Sequence, residues 1–257
     1  MNNYYIDTHV HLNDDTLYSH LEEVLSDARR NNVHLFFVVG WDMDSSKKAL
    51  ELSHKYDDVY AIIGFHPCNI RGYSDYEYNW LEEHAKDERV VAVGEIGFDF
   101  HWDDTTKEEQ EEAFIRQIEI AKRIHKPISI HSRDADQATF DIIKKYDAAM
   151  IGGVLHCYSG SSEMAKEYIK LNFIFGIDGP ITFKNNRRGI DVVEKIDLKY
   201  LITETDSPYL TPHPYRGQEN GPKYIPLIVD KIAEIKNMSS EEVMKQVRDN
   251  VKRVFGV

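Results

Sequence analysis

Two histidines stand one residue apart at the end of a short apolar run, Tyr4-Tyr5-Ile6-Asp7-Thr8-His9-Val10-His11-Leu12. Side chains alternate along a β-strand, so His9 and His11 face one side and Asp7 shares their parity. Two imidazoles converging on one point are the start of a metal site, because neutral imidazole binds zinc, nickel, copper or iron. The plainer alternative is a pair of polar residues at a strand exit. Other ionisable groups follow short apolar runs in the same way: Gly64-Phe65-His66-Pro67, Gly94-Glu95-Ile96-Gly97 with Asp99 just beyond, His131-Ser132-Arg133, and His156-Cys157-Tyr158-Ser159-Gly160. A seventh run ends near Asp178, and the last leads into Glu204-Thr205-Asp206-Ser207-Pro208.

Taken singly, most of these residues have an ordinary reading. His131 or His156 alone reads as a hydrogen-bonded structural histidine, and Asp206 as a helix cap before Pro208. Glu95 is harder to dismiss, because its flanking glycines let the backbone approach something closely. Together, four histidines (His9, His11, His131, His156) and two carboxylates (Glu95, Asp206) exceed what one tetrahedral catalytic ion takes from a protein. They suit two divalent ions with Glu95 bridging. One division gives His9, His11 and Asp206 to one ion and His131 and His156 to the other. Two such ions clamp the attacking and leaving oxygens of a displacement and lower the pKa of bound water, and Asp206 is placed to take the proton of the attacking water. Magnesium, manganese, zinc and nickel all suit these ligands. Arg133 shares the strand parity of His131 and offers a guanidinium for a phosphate or carboxylate. His66, Arg216 and Asn220 are further candidates for holding phosphate, each equally readable as a fold-stabilising hydrogen bonder.

The elements that must position these groups follow from periodicity. Apolar runs at Tyr4–Leu12, Val33–Gly40, Val59–Gly64, Val90–Gly94, Ile128–His131, Met150–Leu155, Phe173–Ile177 and Tyr200–Thr203 read as strands. Amphipathic stretches between them read as helices: Leu17–Asn31, Ser45–Tyr56 capped by Asp44, Tyr76–Lys86, Lys107–His125, Ala135–Tyr146, Ser162–Leu171 and Gly189–Lys195. Helices at Pro222–Lys236 and Ser240–Arg253, the second capped by Ser239 or Ser240, complete the chain. Eight strand–helix units predict a parallel (β/α)8 TIM-type barrel with extra C-terminal helices in one domain, 1–257; an open doubly wound sheet is the alternative. His9, His11, His66, Glu95, His131, His156, Asp178 and Asp206 then fall at the C-terminal ends of strands, where barrel enzymes build their active sites.

Composition bounds the partners. The 257 residues carry a formal net charge of −13. That excludes a broad basic face for long duplex nucleic acid but not a nuclease of small footprint. No apolar run has the length of a membrane span, and the start lacks a basic region leading into an apolar segment. Cys68 and Cys157, far apart and without a spaced pattern, fit a reducing compartment. These features predict a cytoplasmic enzyme with no membrane association and no obligatory protein partner.

The six strand-end motifs, with Tyr209-Leu210 completing the last, resemble the TatD family of metal-dependent deoxyribonucleases, in order and over essentially the whole chain. The resemblance implies a (β/α)8 barrel that binds two divalent ions and cleaves DNA phosphodiesters, usually from an end. It implies His9, His11, Glu95, His131, His156 and Asp206 as ligands, the set reached from the strand ends. Two departures are visible: glycine at Gly221, within Asn220-Gly221-Pro222, replaces the family's usual acid, and Tyr158 replaces a usual Phe. Related barrels that open lactones or deaminate rings often bridge their metals with a carbamylated lysine on strand four, where this chain offers Glu95. A barrel acting only as a binding partner would be expected to have lost ligands.

Overall fold

The computed structural model describes residues 4–257. Its eight strands are β1 Tyr5–Val10, β2 Val33–Val39, β3 Val59–Ile63, β4 Val90–Asp99, β5 Ile128–Arg133, β6 Gly153–Leu155, β7 Phe173–Ile177 and β8 Leu201–Thr203. They pair in parallel in chain order. The seam between β1 and β8 is drawn together by a parallel bridge of Val10 with Ser207 and by Thr203 Oγ1, which donates to the Ile6 carbonyl at 3.0 Å. The result is the nearly closed (β/α)8 barrel that the strand count predicts. Its strands are apolar almost without interruption because both faces are covered. In β2 only His34 is exposed.

The helices α1 Asp15–Tyr18, α2 Leu21–Arg30, α3 Met43–Lys55, α4 Asp75–His84, α5 Lys107–Ile124, α6 Asp136–Lys145, α7 Ser162–Ile169, α8 Arg187–Lys195, α9 Ile225–Lys236 and α10 Ser240–Phe255 surround it. Reciprocal capping pairs start four of them, at Asp42/Ser45, Ser74/Glu77, Thr106/Glu109 and Ser239/Glu242. The cap of α3 is thus Asp42, not Asp44, because Asp42 reaches the Ser45 amide at 2.7 Å. The expected helix over Leu17–Asn31 is two helices. Asp14 caps a first turn, and His20 leaves helical geometry, its Nε2 lying 2.9 Å from Glu219. Met150 belongs to a 3-10 turn, and β6 begins only at Gly153.

Two features shape the C-terminal end of the barrel. The strand register shifts between Asp7 and Val10 in β1 and between Val93 and Ile96 in β4. Such irregularities re-aim side chains beside active sites, and here they bracket His9 and Glu95. Buried amide side chains then satisfy the strand-end backbone, where ladder bonds run out. Asn13 donates to the Val39 and Ser45 carbonyls at 3.0 and 2.9 Å. Gln117 exchanges two bonds with the Phe65 backbone, and Gln110 does the same with Asp99.

Candidate metal centre

Five strands bring six side chains to one point at the C-terminal end of the barrel. His9 and His11 come from β1 and its exit, Glu95 from β4, and His131 from β5. His156 follows β6 and Asp206 follows β8. His9 Nε2 lies 3.5 Å from Glu95 Oε2 and 3.7 Å from Asp206 Oδ1. His11 Nε2 lies 3.4 Å from Asp206 Oδ1 and 4.0 Å from Glu95 Oε2. The other oxygen of Glu95, Oε1, stands 2.8 Å from His131 Nδ1 and 2.7 Å from His156 Nε2. Glu95 therefore divides its two oxygens between two groups of donors.

Around His9, metal coordination explains the spacings better than hydrogen bonding does. His9 is fully buried, yet neither of its ring nitrogens has a hydrogen-bond partner among the described residues. Orphaned buried polar atoms are costly and rare. Ligand atoms about 2.1 Å from a shared ion stand roughly 3.0–3.5 Å from one another, much as the donors around His9 Nε2 do. Imidazole and carboxylate together are donors for a divalent ion. His9/His11/Asp206 and His9/Glu95/His156 each bring ligand atoms within 4.8 Å of one another, as does a third group, His66/Asp99/His131.

The electrostatics follow from burial and mutual contact. Burial pushes the Glu95 carboxyl up, but His156, His131 and His9 outweigh it and hold the group well below the usual carboxylate range. Asp206 is likewise pushed up by burial and held down by its bond to His11. Burial and then the neighbouring His156 drive His9 down to about 4. Burial would lower His131 too, yet its bonds to Asp99 and Glu95 raise it to about 9. The bond to Asp206 raises His11 as well, so the centre combines carboxylates held ionised with imidazoles whose protons a bound ion would displace.

The ligands are oriented from behind. The Val39 carbonyl lies 3.1 Å from His11 Nδ1, and Asp99 Oδ2 lies 2.9 Å from His131 Nε2. Carbonyl and carboxylate partners of this kind fix the tautomer and ring plane of metal-binding histidines. Asp99 shares strand parity with Glu95 four residues earlier, a signal that period-two alternation contains. Glu204 Oε1 lies 3.8 Å from His156 Nδ1. The Glu204 carboxylate occupies space that only a glycine leaves free, since a Cβ on Gly176 would lie 2.1 Å from Glu204 Oε2. Gly97, with φ +138°, lets β4 approach β5 so closely that a Cβ there would meet the His131 carbonyl at 2.1 Å. Asp206 itself adopts a left-handed φ of 52°, tolerable for Asp, and donates its amide to the His9 carbonyl at 2.9 Å.

Asp7, despite its parity with His9 and His11, lies a layer deeper. Its carboxylate accepts from Thr205 N at 3.0 Å and Thr205 Oγ1 at 2.6 Å, pinning β1 to the segment after β8. Asp178 is also buried, and it joins no group of ligand atoms among the described residues.

A cavity of about 980 Å³ opens over the centre. His66 and Arg133 line it, as do Trp41, Trp102 and Tyr209. His66 Nε2 lies 3.9 Å from Glu95 Oε1, and burial, then His131, lowers its pKa to about 3, so it meets a ligand as a neutral ring. Two expected substrate contacts lie elsewhere. Arg216 is exposed, with its guanidinium over the Phe183 ring at 4.4 Å, and it does not line this cavity. Asn220 is buried. Its amide nitrogen donates to the Thr205 and Tyr209 carbonyls and its oxygen accepts from the Gly221 amide, so it braces the loop after β8. Sequence spacing could not show that these carbonyls would need a donor.

Comparison with known proteins bears on the family of this barrel. The profile described as "TatD related DNase" matches residues 6–256. The metal-dependent hydrolase YabD of Bacillus subtilis (strain 168) is 41% identical over 251 residues, covering 98% of each chain. The metal-dependent hydrolase YcfH of Escherichia coli (strain K12) is 32% identical over 255 residues, covering 98% of this chain and 96% of its own. Among solved structures, the TatD homologue YjjV of Escherichia coli K12 superposes with a TM-score of 0.94 at 29% identity over the full length of both chains. A barrel of this topology, matched from its first strand to its last helix, belongs to the family of TatD-related DNases.

Proposed function

We propose that this chain hydrolyses phosphodiester bonds of DNA, removing nucleotides from single-stranded or frayed ends with the help of two divalent ions. The observation that carries the reading is the division of Glu95: one oxygen faces His9 at 3.5 Å and the other faces His156 and His131 at 2.7 and 2.8 Å. His9, His11 and Asp206 would hold one ion, His131 and His156 the other, with Glu95 common to both. Bound there, divalent ions supply Lewis acidity to the phosphoryl oxygens and lower the pKa of water.

The protein's own groups do the rest. Asp206, ionised at neutral pH, accepts the proton of the attacking water. Arg133, on the cavity wall, pairs with a phosphate oxygen through its planar guanidinium. His66 donates or accepts a hydrogen bond beside the same phosphate without adding charge. The cavity is lined at its base by the buried His11, Glu95 and His156, an arrangement that suits a strand end better than the middle of a duplex. The net charge of −13 accords with that small footprint. Two free cysteines accord with residence in the reducing cytoplasm.

The test uses protein stripped of metal and then supplied with Mg²⁺ or Mn²⁺, acting on end-labelled single-stranded DNA beside Glu95→Ala. A ladder of shortened products that requires the ion and disappears in the variant is expected. Two ions bound per chain with no cleavage, or cleavage indifferent to a chelator, overturns the reading.

A further inference from the structure

Trp102 is an exposed aromatic at a functional mouth, and no ligand or catalytic role accounts for it. It follows β4, lines the cavity over the metal centre and leaves 54% of its surface to solvent. A tryptophan so placed offers apolar area and a π-face at the mouth of the cavity. The loop is held at several points. Asp99 Oδ1 accepts the amides of His101 and Trp102 at 2.9 and 3.2 Å, while its other oxygen holds His131. The buried Gln110 ties the Asp99 backbone to Thr105, whose hydroxyl donates to the Pro67 carbonyl at 2.7 Å. The His101 ring meets the indole edge-on at 4.8 Å between centroids. The Arg133 guanidinium lies over the indole at 5.7 Å from its centroid.

Resting on the nuclease reading above, we propose that Trp102, backed by Arg133, is a stacking platform for a nucleobase adjacent to the scissile phosphate. Every base has a π-face, so a fixed indole recognises bases without reading sequence, and a guanidinium over the ring adds to the stack. Charge alone would serve poorly on this rim, because Asp14 and Asp104 also line the cavity. An uncharged ring face attracts the base where the wall would repel the phosphates. The Trp102 backbone amide and the His131 ring share the two oxygens of one carboxylate, so the residue that carries the platform is tied to the centre. A base stacked there brings its own phosphate toward that centre, provided it is unpaired and free to present its face.

The test measures KM and kcat on a ten-nucleotide single strand for the wild type, Trp102→Ala, Trp102→Phe and Trp102→Leu, with Mn²⁺ affinity determined for each. Loss of one base–aromatic stack raises KM about 5- to 150-fold. We expect that rise in Trp102→Ala, with kcat within about twofold of wild type, Mn²⁺ affinity unchanged, partial rescue by Phe and none by Leu. An unchanged KM in Trp102→Ala, or rescue by Leu as good as by Phe, overturns the platform and leaves the nuclease reading standing. Absence of cleavage by the wild type overturns the nuclease reading and the platform together.

Discussion

Asp99→Asn separates geometry from charge at the centre. His131 turns Nδ1 toward Glu95 and His156, so the proton of a metal-binding His131 must sit on Nε2 and be donated to Asp99 at 2.9 Å. Asparagine keeps the shape and replaces one acceptor oxygen by a donor. With its NH2 toward His131, the imidazole must accept at Nε2 and carry its proton on Nδ1, the atom needed for the metal. With the amide flipped, the NH2 faces the His101 and Trp102 amides, which are donors themselves. Either orientation sacrifices something. Losing such a supporting partner costs 10–100-fold in metal affinity or activity, about 1.4–2.7 kcal/mol. Asparagine also weakens the hold on the His131 proton, so the loss should appear in Mn²⁺ affinities measured by calorimetry on metal-free wild type and Asp99→Asn and corrected for the protons released on binding. A correctly folded Asp99→Asn chain whose proton-corrected Mn²⁺ affinity stays within about twofold of wild type would refute the tautomer argument.

Three further outcomes follow from the same contacts. His131 holds its proton up to about pH 9 in the metal-free centre, so an ion binding below that pH must displace it. Apparent affinity then rises about tenfold per pH unit toward 9 and flattens above it, and titrations at pH 7 in two buffers of different ionisation enthalpy should register a released proton. Gly176→Ala would drive a Cβ to 2.1 Å from Glu204 Oε2 in a buried strand; overpacking of this kind costs about 1–3 kcal/mol, and a shift below about 0.5 kcal/mol in denaturant unfolding would contradict the close approach. Asn220→Ala leaves the Thr205 and Tyr209 carbonyls without their buried donor. It should destabilise the chain by about 1–3 kcal/mol while KM for the proposed DNA substrate stays near wild type, whereas a raised KM at unchanged stability would return Asn220 to the substrate.

The strand-end residues were readable because two local rules act on every stretch. Period-two alternation fixes which residues share a face, and burial on both sides makes barrel strands continuous apolar runs, so His9, His11, Glu95, His131, His156 and Asp206 could be placed from order alone. The strand–helix alternation that carries them is local too. Tertiary structure decided what no spacing encodes. Asp7 has the right parity but the wrong depth, because Thr205 across the β1–β8 seam takes its carboxylate. Asn220 has the chemistry of a phosphate ligand, but carbonyls eleven and fifteen residues away claim it first. Asp99 becomes the partner of His131 only once β4 lies beside β5, and Gly97 permits that closeness. The identity of the donors is a property of the sequence. Their depth, their partners and the division of one carboxylate between two groups of histidines depend on distances that only the closing of the barrel sets.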